Sequence, residues 1–233
     1  MRMIALPVSS VLAVLVFFAP GAWGQSKNLA PGFSSLPRGA SVVIMPTDIK
    51  LFSVAAGYVL EPKADWTEAA AKYFKAALLQ KNRALGLTTI ELADKDAGEL
   101  AEINALHGAV ARSIALHHFG TLPLPTKEGK LDWSFGEPVQ LIKKKTGADY
   151  ALFSWVRDSY TSGGQAAIIA LGILTRGPSG PPSEQVGYAS LVDLNTGRVL
   201  WFNRLQRTSG DLREADRAAE TLDALLQEFP VAK

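Results

Sequence analysis

The chain has 233 residues, with 24 Lys and Arg against 22 Asp and Glu and a formal charge of +2. That balance excludes a strongly basic nucleic-acid binder and an acidic solvated coil, while 48% apolar and 20% charged residues suffice for an ordinary globular core. With no cysteine, disulfides, thiolate metal sites, cysteine nucleophiles and lipid-modified cysteine are excluded together.

Residues 1–24 read as an export signal. Arg2 is their only charge, Val11 to Ala19 is the apolar region, and Pro20-Gly21 breaks it. Ala22 and Gly24 then place small residues at −3 and −1 of a cleavage site before Gln25. Pro7, Ser9 and Ser10 interrupt the longer stretch, and a membrane span needs about 20 apolar residues, so cleavage is expected rather than anchoring. Residues 25–40, with Pro31, Gly32, Pro37 and Gly39, read as a linker. The domain proper is expected over 41–233.

Ser41 to Met45 is a short β-branched run ended by Pro46, a buried-strand pattern. Asp65-Trp66-Thr67-Glu68 has capping-box spacing. Behind it Trp66, Ala70, Tyr73, Phe74 and Ala77 recur at helical period, and Gly86 closes the helix. Leu87 to Leu92 reads as a second strand. Leu100, Ile103, His107, Val110, Ile114 and His117 mark one face of the next helix, with Gly120 as its stop. Lys127-Glu128-Gly129-Lys130 suggests a small hairpin turn, and Pro138 suits the first turn of a helix running to Gly147. Asp149 to Val156 is apolar on both alternating faces, the pattern of a strand inside a sheet. Residues 162–185 form an insert, expected to be mobile, in which Ala166 to Leu174 is an apolar island and Arg176 to Ser183 is rich in Gly and Pro. Val186 to Leu194 and Val199 to Gln206 flank a short loop with Gly197 where a left-handed residue is wanted. Leu212, Ala215, Ala219, Leu222, Leu226 and Phe229 form a last amphipathic helix before Pro230. The fold class expected is α/β: a single domain whose mixed β-sheet is flanked by helices, preceded by a signal peptide.

Chemical motifs are sparse. His107 and His118 lie roughly 16 Å apart along a straight helix, and His117 and His118 point in different directions, so no shared metal ion is expected. No G-x-S-x-G elbow, P-loop or G-x-G-x-x-G occurs, and no cofactor is expected. Lys143-Lys144-Lys145 reads as a solvated helix end favoured by the dipole, not a nucleic-acid site. Asp193, Thr196, Gly197 and Trp201 form a D-x-x-T-G-x-x-x-W pattern similar to the repeat signature of quinoprotein-type propellers, yet a propeller needs about four to eight blades and one copy is present. These are hairpin-making residues: Asp193 and Thr196 to bond loop amides, Gly197 to take positive φ, Trp201 to pack on the sheet.

The string Gly147-Ala148-Asp149-Tyr150-Ala151-Leu152, followed by Leu191-Val192-Asp193-Leu194-Asn195-Thr196-Gly197, Trp201 and a closing helix, resembles the periplasmic α/β domain of CsgG-type proteins. TolB amino-terminal domains and other cell-envelope lipoprotein families are similar. The resemblance implies a fold and an envelope location rather than an activity, and it transfers no functional residue. CsgG-type channels carry a lipidated cysteine and long membrane-spanning hairpins. This chain has no cysteine, and its apolar insert is short and without strand alternation.

The expected function is that of an exported, non-enzymatic cell-envelope protein, periplasmic, soluble and not lipidated. It would act by binding an envelope protein partner or by self-association, as an accessory of secretion or envelope assembly, with no nucleic acid and no membrane span after cleavage. Ile168, Ile169, Leu171, Ile173 and Leu174 are the candidate partner contacts. The alternative is a periplasmic hydrolase of a small molecule or envelope polymer, its site assembled from Asp48, His107, Arg157 and Asp158. A deep pocket gathering two or more of those side chains would favour the enzyme.

Overall fold

The computed structural model describes residues 26–55, 59–161 and 183–231. The expected signal segment and most of the apolar insert lie outside them. The described residues form one seven-stranded mixed sheet with helices on both faces, a single α/β domain.

Its centre is β5 (Tyr150–Tyr160), the strand expected inside the sheet from its two apolar faces. Along one edge, β6 (Gln185–Asp193) pairs with it antiparallel from Tyr150 opposite Asp193 to Asp158 opposite Gln185. The other edge is shared by two parallel strands lying end to end. β1 (Ser41–Ile44) covers Tyr150 to Leu152, and β2 (Asp48–Val54) covers Trp155 to Tyr160. Sequence reading stops the first strand at Pro46 and assigns no strand after it. The structure resumes the strand two residues later, because Ile49, Leu51 and Val54 turn inward while Lys50 faces solvent. Pro46, which has no N–H to donate, sits in the break. Across it the register slips by one residue, from Val43 opposite Ala151 to Ile49 opposite Val156.

Outside β1 and β2 run β4 (Thr88–Glu91), parallel to β1, and β3 (Leu60–Pro62), antiparallel to β2. On the far side β7 (Val199–Arg207) pairs antiparallel with β6. The aspartate of the G-A-D-Y string ties the sheet together at its base. The Asp149 carboxylate accepts the Ser41 amide at 3.2 Å and hydroxyl at 2.9 Å, and these bonds hold its pKa below the usual carboxylate value.

Alternation divides the sheet into two cores. Val42, Leu152, Val156, Leu191 and Trp201 meet Phe74 and Leu78 of α1 (Ala64–Ala84) and Leu222 of α5 (Ala215–Leu225). Val43, Ala151, Phe153 and Phe202 meet Ile114 of α3 (Ala101–His117) and Ile142 of α4 (Gln140–Thr146). A short α2 (Asp94–Glu99) links β4 to α3.

Three local expectations need correction. The capping box at Asp65 is not formed: α1 begins two residues earlier, Lys63 is its N-cap without a side-chain bond, and Asp65 lies in the first turn, where its charge favours the dipole. Thr67, expected inside that box, instead accepts the Leu51 amide at 3.0 Å and donates to the Lys63 carbonyl at 2.8 Å, fastening helix to strand. Thr67→Val keeps the shape but orphans the buried Leu51 N–H; a loss of about 1–2 kcal/mol in urea denaturation is expected. Secondly, α3 ends at His117 rather than Gly120. Thirdly, residues 125–130 make a 3-10 turn, Pro125–Lys127, followed by left-handed Glu128 and Gly129, so no hairpin forms there. Pro138 likewise lies in a 3-10 turn, Glu137–Val139, that leads into α4, and Gly147 closes that helix at φ +71°.

Candidate functional site

The partner contacts expected at Ile168, Ile169, Leu171, Ile173 and Leu174 lie outside the described residues. What is described is the place where their segment leaves and rejoins the sheet. The Ser159 amide donates to the Glu184 carbonyl at 3.0 Å, and the Glu184 amide to the Ser159 hydroxyl at 3.0 Å. Beneath that clasp lies a buried polar cluster. The Asp158 carboxylate accepts the Tyr160 hydroxyl and the Gln185 amide, both at 2.5 Å, and the Tyr160 oxygen accepts the Leu212 N–H at 2.7 Å. Arg207 joins Gln185, Thr221 and Glu220 at 2.7 to 2.9 Å. Burial pushes the Asp158 carboxyl up to about 6 despite these donors, and burial also raises the Tyr160 phenol.

The four residues of the hydrolase alternative do not converge. Arg157 and Asp158 are successive residues of β5 and face opposite sides of the sheet. Asp48 and Arg157 do meet, through Nη2 to Oδ1 at 2.8 Å, and the same guanidinium bonds the Asp48 and Val156 carbonyls. It also lies 4.2 Å above the Trp155 ring, a placement that fixes it rather than offering it to a substrate. His107 is wholly buried on α3, stacked near Phe135 and Phe153, with Nε2 at 3.1 Å from the Ser190 hydroxyl. Desolvation drives its pKa down to about 3, so the ring is neutral at physiological pH. His117 and His118 bond the carbonyls of Leu122 and Lys27 at 2.7 and 2.8 Å.

A crevice of about 300 Å³ opens at the carboxyl ends of β1 and β4, where open α/β sheets commonly bind ligands. Met45, Pro46 and Thr47 form its floor, Leu78 its apolar wall, and Lys75 and Glu91 its charged rim. None of the four hydrolase residues lines it.

The loop residues singled out by the sequence build the β6–β7 turn. Asp193 Oδ1 accepts the amides of Asn195 at 2.7 Å and Thr196 at 3.3 Å, and Thr196 Oγ1 accepts the Arg198 amide. Gly197 takes φ +73° and passes so close to Gly136 that a Cβ would lie 2.4 Å from its carbonyl oxygen. Trp201 is fully buried, edge-on to Phe229 at 5.2 Å.

No family model matches the chain, and no curated protein matches it. Among solved structures the chain is similar to the PelC dodecamer from Paraburkholderia phytofirmans, at 14% identity and TM-score 0.34, covering 86% of this chain and 94% of that one. It is similar to lipoprotein GNA1162 from Neisseria meningitidis at 11% identity and TM-score 0.32, covering 82% and 99%. The LpoB C-terminal domain from Salmonella enterica matches at 10% identity and TM-score 0.32, covering 77% and 88%.

One aromatic row escapes sequence reading. On the face bearing α3, the Trp155, Tyr188, Phe202 and Phe119 rings follow one another with centroids 5.1 to 5.9 Å apart. Arg204 lies 5.3 Å over Phe119, and Arg112 lies 5.9 Å from Trp155. These residues come from β5, β6, β7, α3 and the segment just after α3; the cross-strand register places Tyr188 between Trp155 and Arg204, and the packing of α3 adds Arg112 and Phe119. No spacing along the chain announces such a row.

Proposed function

We propose that the chain is an exported, non-enzymatic protein of the cell envelope that acts by binding a protein partner or by self-association. Its fold class would be shared with the CsgG-type and TolB amino-terminal-like families. The observation that carries this reading is the fate of the hydrolytic candidates. His107 is sealed in the core, Asp158 is engaged by Tyr160 and Gln185, and Asp48 and Arg157 neutralise each other. Each polar group has a structural job, and none is aimed into the crevice at the strand ends. The export-signal pattern of residues 1–24 supports a periplasmic location, and the lack of cysteine supports a protein without a lipid anchor. No helix among the described residues is long and apolar enough to cross a membrane.

The test is chemical crosslinking in the native envelope followed by capture, with light scattering of the purified chain beside it. A reproducible partner, or an assembly larger than one chain, is the expected outcome. Replacing Ile168, Ile169 and Ile173 by Ser should abolish it with melting unchanged if the apolar island is the contact. A wild-type chain that captures nothing and stays monomeric overturns the reading.

A further inference from the structure

We propose that the crevice between α3 and the β6–β7 hairpin is a docking site for an acidic segment of a protein partner, whose carboxylates are taken by Arg112 and Arg204 beside the Tyr188 hydroxyl. This rests on the partner-binding reading above. The crevice measures about 240 Å³, room for one or two side chains, and Leu116 and Val186 give it an apolar lip.

The two guanidiniums are brought together on one crevice without a carboxylate between them. Arg157 is spent on Asp48, Arg207 on Glu220 and Arg213 on Asp211, but no carboxylate among the described residues stands within ion-pair distance of Arg112 or Arg204. Both are exposed at their helix and strand, and each lies over or beside an aromatic ring that limits its motion. Burial raises the Tyr188 phenol above its ordinary value, and both guanidiniums pull against that rise. The Tyr188 ring is fixed between Trp155 and Phe202, so its hydroxyl is held in place while donating to a ligand. Glu184, whose charge also reaches Tyr188, accepts a bond from Gln206.

The occupant follows from these groups. Planar guanidiniums pair with carboxylates in two-point geometry, and stacked arginines lose little entropy on doing so. A lone inorganic anion would leave the Leu116 and Val186 lip unused. An extended acidic peptide with interleaved apolar residues uses both.

The probe is a peptide alternating glutamate and leucine, titrated calorimetrically into the purified protein at low ionic strength. Binding should weaken at least tenfold in the Arg112→Ala, Arg204→Ala double variant, whose melting temperature should match wild type because both side chains are exposed. It should weaken similarly when glutamine replaces glutamate in the peptide, and with added salt. Equal binding by the double variant, or equal binding of the glutamine peptide, overturns the proposal. So does inorganic phosphate displacing the peptide at matched concentration, which would make this a small-anion pocket, or single-stranded DNA binding in the peptide's place. The double variant is also carried through the envelope crosslinking. Capture lost along with peptide binding supports the proposal; capture retained overturns it while leaving the partner reading intact. If the wild type itself captures nothing, the partner reading falls and the peptide titration alone decides this site.

Discussion

Gly197→Ala is expected to cost about 3 kcal/mol or more, although it adds a single methyl group. Two penalties act together. At φ +73° an alanine is in the left-handed region, which by itself costs about 1–2 kcal/mol. The new Cβ would also lie 2.4 Å from the Gly136 carbonyl oxygen and 2.9 Å from its nitrogen. Those are backbone atoms and cannot swing aside as a side chain would. The neighbouring chain is tied down, since Phe135 donates its amide to the Gly197 carbonyl at 2.9 Å. Gly129→Ala is the control: its φ is +70° but nothing lies within 4 Å of the added carbon, so about 1 kcal/mol is expected there. Urea denaturation of the two variants separates the terms. Equal losses would mean that Gly197 is needed only for its conformation and that the close approach to Gly136 does not matter.

Acid should act on this protein through two opposed groups. His107 stays neutral in the folded chain down to about pH 3, whereas an unfolded histidine protonates near 6.5. The unfolded state therefore binds the extra proton, and stability falls by about 1.4 kcal/mol per unit as pH drops below 6.5. Asp158 does the reverse. Its folded pKa is about 6 against an ordinary value of 3.8, so the native state binds the extra proton between them and stability rises as pH falls through that window. From these two groups the wild type should be nearly flat between about pH 6 and pH 4. Asp158→Asn should expose the histidine slope, losing roughly 2–3 kcal/mol over that span relative to wild type. His107→Gln, which can keep the bond to Ser190, should tilt the other way. Denaturation at pH 7, 6, 5 and 4 reads all three profiles, and parallel profiles would sink both assignments.

The sheet and its helices were legible wherever periodicity was long. Asp149 to Val156 announces a central strand because both of its faces are apolar, and Trp66, Ala70, Phe74 and Ala77 pack on one helix face, while Tyr73, read with them, is exposed. The second strand was hidden by Pro46 and by polar Asp48 and Lys50, which break the apolar run although Ile49 and Leu51 still point inward. The capping-box residues at Asp65 to Glu68 misled because Thr67 finds a better partner in Leu51, an amide from another element. A local motif cannot compete with a tertiary bond that the local sequence does not contain. The arginine-aromatic row was illegible for the same reason. Arg112 and Arg204 are far apart in the chain, and only the pairing of β6 with β7 together with the packing of α3 on the sheet makes them neighbours of one tyrosine.

The division of one sheet edge between β1 and β2 bears on how quickly the chain finds its fold. β6 and β7 are joined by a short loop and need close only a small ring of chain. The bond from Ser41 to Asp149 spans 108 residues, and the Arg157 bond to Asp48 spans 109. Closing a ring of that size is entropically costly, and folding slows as contacts become more distant in sequence. Yet β1 and β2 are continuous through three residues and share the same neighbour, so a single closure delivers both strands to β5. Docking of residues 41–54 onto β5 is therefore the expected slow step, so substitutions at Val42 or Leu51 should slow refolding in stopped-flow measurements, and an unchanged refolding rate would refute that order.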